Sequence, residues 1–208
     1  SRADRAAPER LGDGWVGPMW LERQLDPHSP SFLPQGHSSS PRNLVDRSWT
    51  GIGNIGSPRR AVVDPRGLLS PRTGGWSVDW WIGAEDRWHF PSRERVVRQE
   101  LVGLAPVVET ALRVPGGDAI CRAYTVVGLE GAGDLAVLEV ENRAAVPCAV
   151  AFAIRPFNVE GLVPVHHITL GPDHVVRVDG IDALYLPRAP SRAAGGDHSG
   201  RDAAHGLS

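Results

Sequence analysis

Val107-Val-Glu-Thr-Ala-Leu-Arg-Val-Pro-Gly-Gly-Asp-Ala-Ile-Cys-Arg-Ala-Tyr-Thr-Val-Val127 is two β-rich runs around a turn. Val, Ile, Thr and Tyr suit a pleated, half-buried surface, and Pro115-Gly-Gly-Asp118 interrupts them with turn residues. Gly116 and Gly117 have no Cβ, so they accept the positive φ that a tight turn needs. The stretch predicts a hairpin and, around it, an antiparallel sheet.

Outward from it the same pattern repeats. Leu135 to Glu141 puts Ala136, Leu138 and Val140 on one face and Glu139 and Glu141 on the other. Asn142 to Pro147 predicts a turn, and Cys148 to Arg155 a returning strand. That strand carries Val150, Phe152 and Ile154 on one face and Ala149, Ala151 and Ala153 on the other. Together they predict a second hairpin. Val96 to Leu104 reads as a strand, and short runs at 165–170, 174–178 and 183–186 extend a meander. No segment carries a helical stripe. Short strands without helices predict an all-β antiparallel β-sandwich over residues 44–187. Residues 1–43 read as an irregular Pro/Ser/Gly-rich arm that docks, if at all, through Trp15, Trp20 and Phe32. Residues 188–208 are small and polar and read as a flexible tail or a truncated linker.

Composition narrows the function. Gly 24 and Pro 18 among 208 residues demand many turns. The 22 basic residues, all Arg, nearly balance 24 acidic ones, for a net charge of −2. That balance favours neither nucleic acid nor an anionic membrane as partner. Without Lys there is no Schiff-base lysine and no phosphate-loop lysine. Cys121 and Cys148 are too few for a disulfide framework or a four-cysteine zinc site, and read as buried free thiols of a cytoplasmic protein. No apolar run reaches the roughly 20 residues of a membrane span, and the charged Ser1–Arg10 predicts no signal peptide.

No cofactor and no metal are expected. Gly51-Ile-Gly-Asn-Ile-Gly56 fits the dinucleotide pattern in form, but Ser57-Pro58 stands where a helix must open. His166, His167, Asp173 and His174 are metal-type residues, yet neighbours on a strand point apart.

The densest chemistry lies in Gly75-Trp-Ser-Val-Asp-Trp-Trp-Ile-Gly-Ala-Glu-Asp-Arg-Trp-His-Phe-Pro91. Indoles beside carboxylates suit a sugar: the ring packs on the pyranose C–H face while acceptors take its hydroxyls. The candidate substrate-binding residues are Trp88, Asp79, Glu85, Asp86 and His89. Core filling competes, because Trp is mostly buried. Trp76 and at least one of Trp80 and Trp81 are expected in the core, with Trp88 at a rim. Asp79 with Glu85 or Asp86 has the residue types of a glycosidase pair, which needs about 5–9.5 Å between carboxyls. No catalytic residue is assigned. Arg155, Asn158 and Glu160 are expected at a sheet end, stapling an adjoining domain.

Seven segments carry a resemblance: Arg47-Ser-Trp-Thr-Gly-Ile-Gly-Asn54, Val63-Asp-Pro-Arg-Gly-Leu68, Gly75 to Trp81, Val107-Val-Glu-Thr110, Val114 to Asp118, Glu139-Val-Glu-Asn142 and Arg155-Pro-Phe-Asn158. Over residues 43–187 the chain resembles the N-terminal β-supersandwich region of bacterial proteins akin to glycogen-debranching enzymes and other (α/α)6-barrel glycosidases. The resemblance implies a carbohydrate-active context, with catalytic carboxylates in a helical-barrel domain that this chain does not contain. It transfers no catalytic residue. It implies an accessory sandwich, encoded as a truncated product, an excised domain or a free-standing protein. The alternative is a free-standing carbohydrate-binding module that takes a glucan or oligosaccharide on the Trp-rich segment.

Overall fold

The computed structural model describes residues 9–11, 14–16, 49–72, 74–128, 133–158 and 161–195. Every regular element among them is a β-strand, and every pairing is antiparallel. The described residues fall into two compact units, one reaching Val163 and the other running from Pro164 with the first two strands. Those two strands, β1 (Glu9–Leu11) and β2 (Gly14–Val16), pair within the stretch expected to be irregular.

The unit that ends at Val163 begins with β3 (Thr50–Ile52), β4 (Ala61–Val63), β5 (Leu69–Ser70), β6 (Ser77–Gly83) and β7 (Trp88–His89). Next come β8 (Val97–Leu101), β9 (Val108–Val114), β10 (Gly117–Val126) and β11 (Leu135–Asn142). It closes with β12 (Ala149–Arg155), β13 (Phe157–Asn158) and β14 (Gly161–Leu162). One sheet has the order β12-β6-β5-β4-β3 with β7 on β6, and the other β11-β10-β9-β8.

The β9–β10 hairpin forms as its turn residues dictate. Val114 faces Gly117, which leaves Pro115-Gly116 as a two-residue loop. Gly116 has φ 79°, the positive angle that follows Pro in a type II turn. Gly117 is needed for a different reason. A Cβ there would lie 2.6 Å from Ala144 Cα and 2.7 Å from the Arg143 carbonyl oxygen. The β11–β12 connection runs directly over the turn, and Arg143 N–H donates to the Asp118 carbonyl at 2.9 Å.

The second expected hairpin does not form. β11 pairs with β10, while β12 crosses to the other sheet and pairs with β6, Phe152 opposite Trp80. Alternation explains the choice. β11 has a charged outer face, whereas both faces of β12 are apolar. β6 is buried at six of its seven positions, so it needs a neighbour that tolerates burial on both sides.

Between the sheets lie two clusters. Ile52, Val63 and Leu69 meet Val108 and Ala123; Trp80 and Ile82 meet Leu112, Val114 and Cys121. Trp80 is fixed by a turn that the Asp64-Pro-Arg-Gly67 sequence builds. Asp64 Oδ1 accepts from the N–H groups of Arg66 (2.7 Å) and Leu68 (3.0 Å). Trp80 Nε1 donates to the Arg66 carbonyl at 3.2 Å. Gly67, at φ 85°, lies so near the indole that a Cβ would stand 2.6 Å from Nε1. Trp76 precedes β6 and is half-buried rather than in the core.

In the other unit, β15 (Ile168–Leu170), β16 (Val175–Val178) and β17 (Ile181–Tyr185) form a meander where short strand runs were expected. Asp179 and Gly180, both at positive φ, make its second turn. Asp179 Oδ1 accepts the backbone N–H groups of His166 and His167 at 3.0 and 2.7 Å. Residues 17–43, with Trp20 and Phe32, and 196–208 lie outside the described residues.

Candidate functional site

Adjacent residues on β6 point to opposite faces, so Trp80 and Trp81 part company. Trp80 enters the space between the sheets, and Trp81 goes to the outer face with Ser77 and Asp79. That face has its own cover. Phe90 meets Trp81 edge-on at 5.0 Å between centroids, and the Arg155 guanidinium lies 5.6 Å from the Trp81 ring and 5.3 Å from that of Phe157. Asp79 Oδ2 accepts Trp81 Nε1–H at 2.7 Å, and Oδ1 accepts Trp80 N–H at 2.9 Å. Burial pushes the Asp79 carboxyl up to about 6, against the opposing pull of the Trp81 hydrogen bond and the Arg155 charge. Arg155 and Asn158, expected to project from a sheet end, are instead buried within their own unit. Asn158 Nδ2 donates to the Gly75 carbonyl at 2.6 Å, and its Oδ1 accepts Gly161 N–H at 3.1 Å. Glu160 lies outside the described residues.

The remaining predicted residues gather around β7. His89 is buried on that two-residue strand, with a carboxylate at each ring nitrogen. Nε2 is 2.9 Å from Asp86 Oδ1, and Nδ1 is 3.1 Å from Glu94 Oε1. Arg87 closes the chain of contacts, its Nη1 and Nη2 donating to Glu94 Oε1 and Oε2 at 2.5 and 3.2 Å. Burial alone would push Glu94 up; the Arg87 fork and the His89 ring outweigh it and hold the carboxyl below its usual range. The His89 hydrogen bond likewise holds Asp86 down. The set staples the turn after Phe90 to the β6–β7 turn.

Beside the staple opens a depression of about 510 Å³. Arg87, Arg93, Arg95 and Arg113 line it, with Glu94 as the single acidic member. Val96, Val114 and Pro115 form its apolar wall. Arg113 arrives from the second sheet, held by its backbone N–H on the Val96 carbonyl at 3.4 Å and by its Nε on Asp118 Oδ1 at 3.3 Å. No family model, no curated protein and no solved structure matches this chain.

Of the five predicted substrate-binding residues, only Asp86 and His89 share a cluster. Asp79 is sealed on the outer face with Trp81. Glu85 is exposed in the β6–β7 turn, on the far side of five residues from the sealed Asp79 carboxyl. Trp88 is half-buried, and its ring lies against Gly83, where a Cβ would be 3.1 Å away. Glu94, Arg93, Arg95 and Arg113 were not singled out from sequence. The alternation Arg93-Glu94-Arg95 just after Pro91 was the available signal, since it turns one charge inward and two outward. Among the described residues no group of three or more His, Cys, Asp or Glu is placed to hold a metal ion. No helix among them is long and apolar enough to cross a membrane. Cys121 is buried and Cys148 half-buried, and both thiols are free and pushed up by burial.

Proposed function

We propose that the chain is a non-catalytic accessory β-sandwich of a carbohydrate-active, glycosidase-like protein, supporting a helical-barrel catalytic domain. The observation that carries this reading is where the residues of resemblance are used. Asp64 and Gly67 shape the turn under Trp80, Trp81 and Arg155 stack on the outer face, and Asn158 ties a hairpin to Gly75. These are framework roles, and a shared framework is what links an accessory sandwich to its family. The carboxylates offered for hydrolysis are used otherwise, Asp79 sealed with Trp81 and Asp86 on His89. The isolated chain is expected to turn over no α-glucan and no aryl glycoside. Hydrolysis that disappears in Asp79→Asn or Glu85→Gln overturns the reading, as does a coding frame whose continuation contains no barrel.

The half-buried Trp88 favours a second reading, a carbohydrate-binding module. Titration of parent and Trp88→Ala with soluble glucans separates the two. A glucan affinity present in the parent and absent from a Trp88→Ala protein of unchanged Tm puts the module first.

A further inference from the structure

We propose that the arginine-lined depression between the β6–β7 turn, the turn after Phe90 and the β9–β10 turn binds the phosphate group of a small phosphorylated ligand. Charge is the first ground. Four arginines and one glutamate line it, so the lining residues carry an excess of positive charge in a chain whose net charge is −2. Arg87 and Arg113 are already engaged by carboxylates. Glu94 takes the full fork of Arg87, and Asp118 takes Nε of Arg113. Arg95 is exposed and has no carboxylate partner among the described residues. Among the described residues the Arg113 fork meets protein only through a long Nη1 contact, 3.5 Å, to the Gly117 carbonyl. Donor forks in a fixed geometry match an oxyanion with several acceptor oxygens better than a hydroxyl or a single carboxylate.

Shape is the second ground. A space of about 510 Å³ exceeds one phosphate and falls within the range of small-molecule pockets. The wall of Val96, Val114 and Pro115 gives the organic body an apolar surface. His89 serves the depression indirectly. Both its ring nitrogens are occupied by carboxylates, so it is a positioning residue that fixes the turn bearing Arg93 and Arg95.

Calorimetric titration of the whole chain at low salt, with inorganic phosphate, glucose 6-phosphate, glucuronate and glucose, tests this. Phosphate is expected to saturate with Kd below about 1 mM, glucose 6-phosphate to bind more tightly, and glucose not to bind. Arg95→Gln and Arg113→Gln are each expected to weaken phosphate binding about tenfold, the loss of one charge-assisted hydrogen bond. Arg143→Gln, whose guanidinium sits on Glu141, serves as a control that leaves binding unchanged. Melting curves confirm that each variant is folded, and Arg95 is exposed enough that Arg95→Gln alone decides the matter. Absence of saturation with both phosphates overturns the proposal. So does undiminished binding by a folded Arg95→Gln/Arg113→Gln protein, or glucuronate binding as tightly as glucose 6-phosphate. Tighter binding of an oligonucleotide through the same arginines replaces the small ligand with a polyanion and overturns it too.

Discussion

Asp79 is a carboxyl held in a buried setting that disfavours its charge. The unfolded chain releases this proton near pH ~4, whereas the folded protein holds it up to about 6. Between these values the folded state keeps a proton that the unfolded state has lost. Stability therefore falls as pH rises through the window, by on the order of 3 kcal/mol, and the full penalty stays in place above it. Asp79→Asn cannot titrate. Whatever its fixed offset, its stability relative to the parent is expected to rise between about pH 4 and pH 7, measured by urea unfolding. A gap that stays flat would show the carboxyl to be better solvated than its burial implies. Asp86 and His89, three positions apart around one turn, were legible in the sequence as polar neighbours of Trp88, but as sugar contacts and not as partners of each other. Arg113 was invisible there, since only the closing of the second sheet onto the first brings it to the same depression.

Among elements, local chemistry was readable and distant pairing was not. Pro115-Gly116 declares its own turn, and the β9–β10 hairpin follows from it. The apolar alternation of β12 fixed its faces but not its neighbour, because β6 lies roughly seventy residues upstream. The two glycines of the turn now separate. Gly116 needs a positive φ but has room, its nearest contact for a Cβ being 3.5 Å away. Gly116→Ala is expected to cost about 1–2 kcal/mol of backbone strain. Gly117→Ala must also displace the Arg143–Ala144 backbone, so its loss should be the greater, about 2–4 kcal/mol with overpacking added. Chemical denaturation of the two variants decides it. A Gly117→Ala protein as stable as Gly116→Ala would mean that the connection yields easily.

At the scale of the molecule, apolar surface is exposed. Trp80 and Trp81 are both covered, while along β12 Ala149 is exposed, Ala151 half-buried and Ala153 buried. The larger apolar side chains Leu101, Val102, Leu104, Val126, Val127 and Leu135 are exposed at one end of the second sheet, where β8 meets β9 and β10 meets β11. Patches of this kind promote association. The chain is expected to bind an apolar-surface dye, and Leu104→Ser with Val127→Ser to reduce that signal without lowering Tm. A strictly monomeric parent that binds no dye would refute this. The passage of the chain from β11 into the other sheet also orders events in time. During synthesis β6 emerges with both faces destined for burial and one edge open, and the strand that seals that edge follows roughly seventy residues later. The second sheet, a meander of neighbours, can assemble in the interval; the first cannot finish. A nascent chain halted before Ala149 thus holds a strand built for burial with one edge unsealed, the kind of exposed edge on which chains associate.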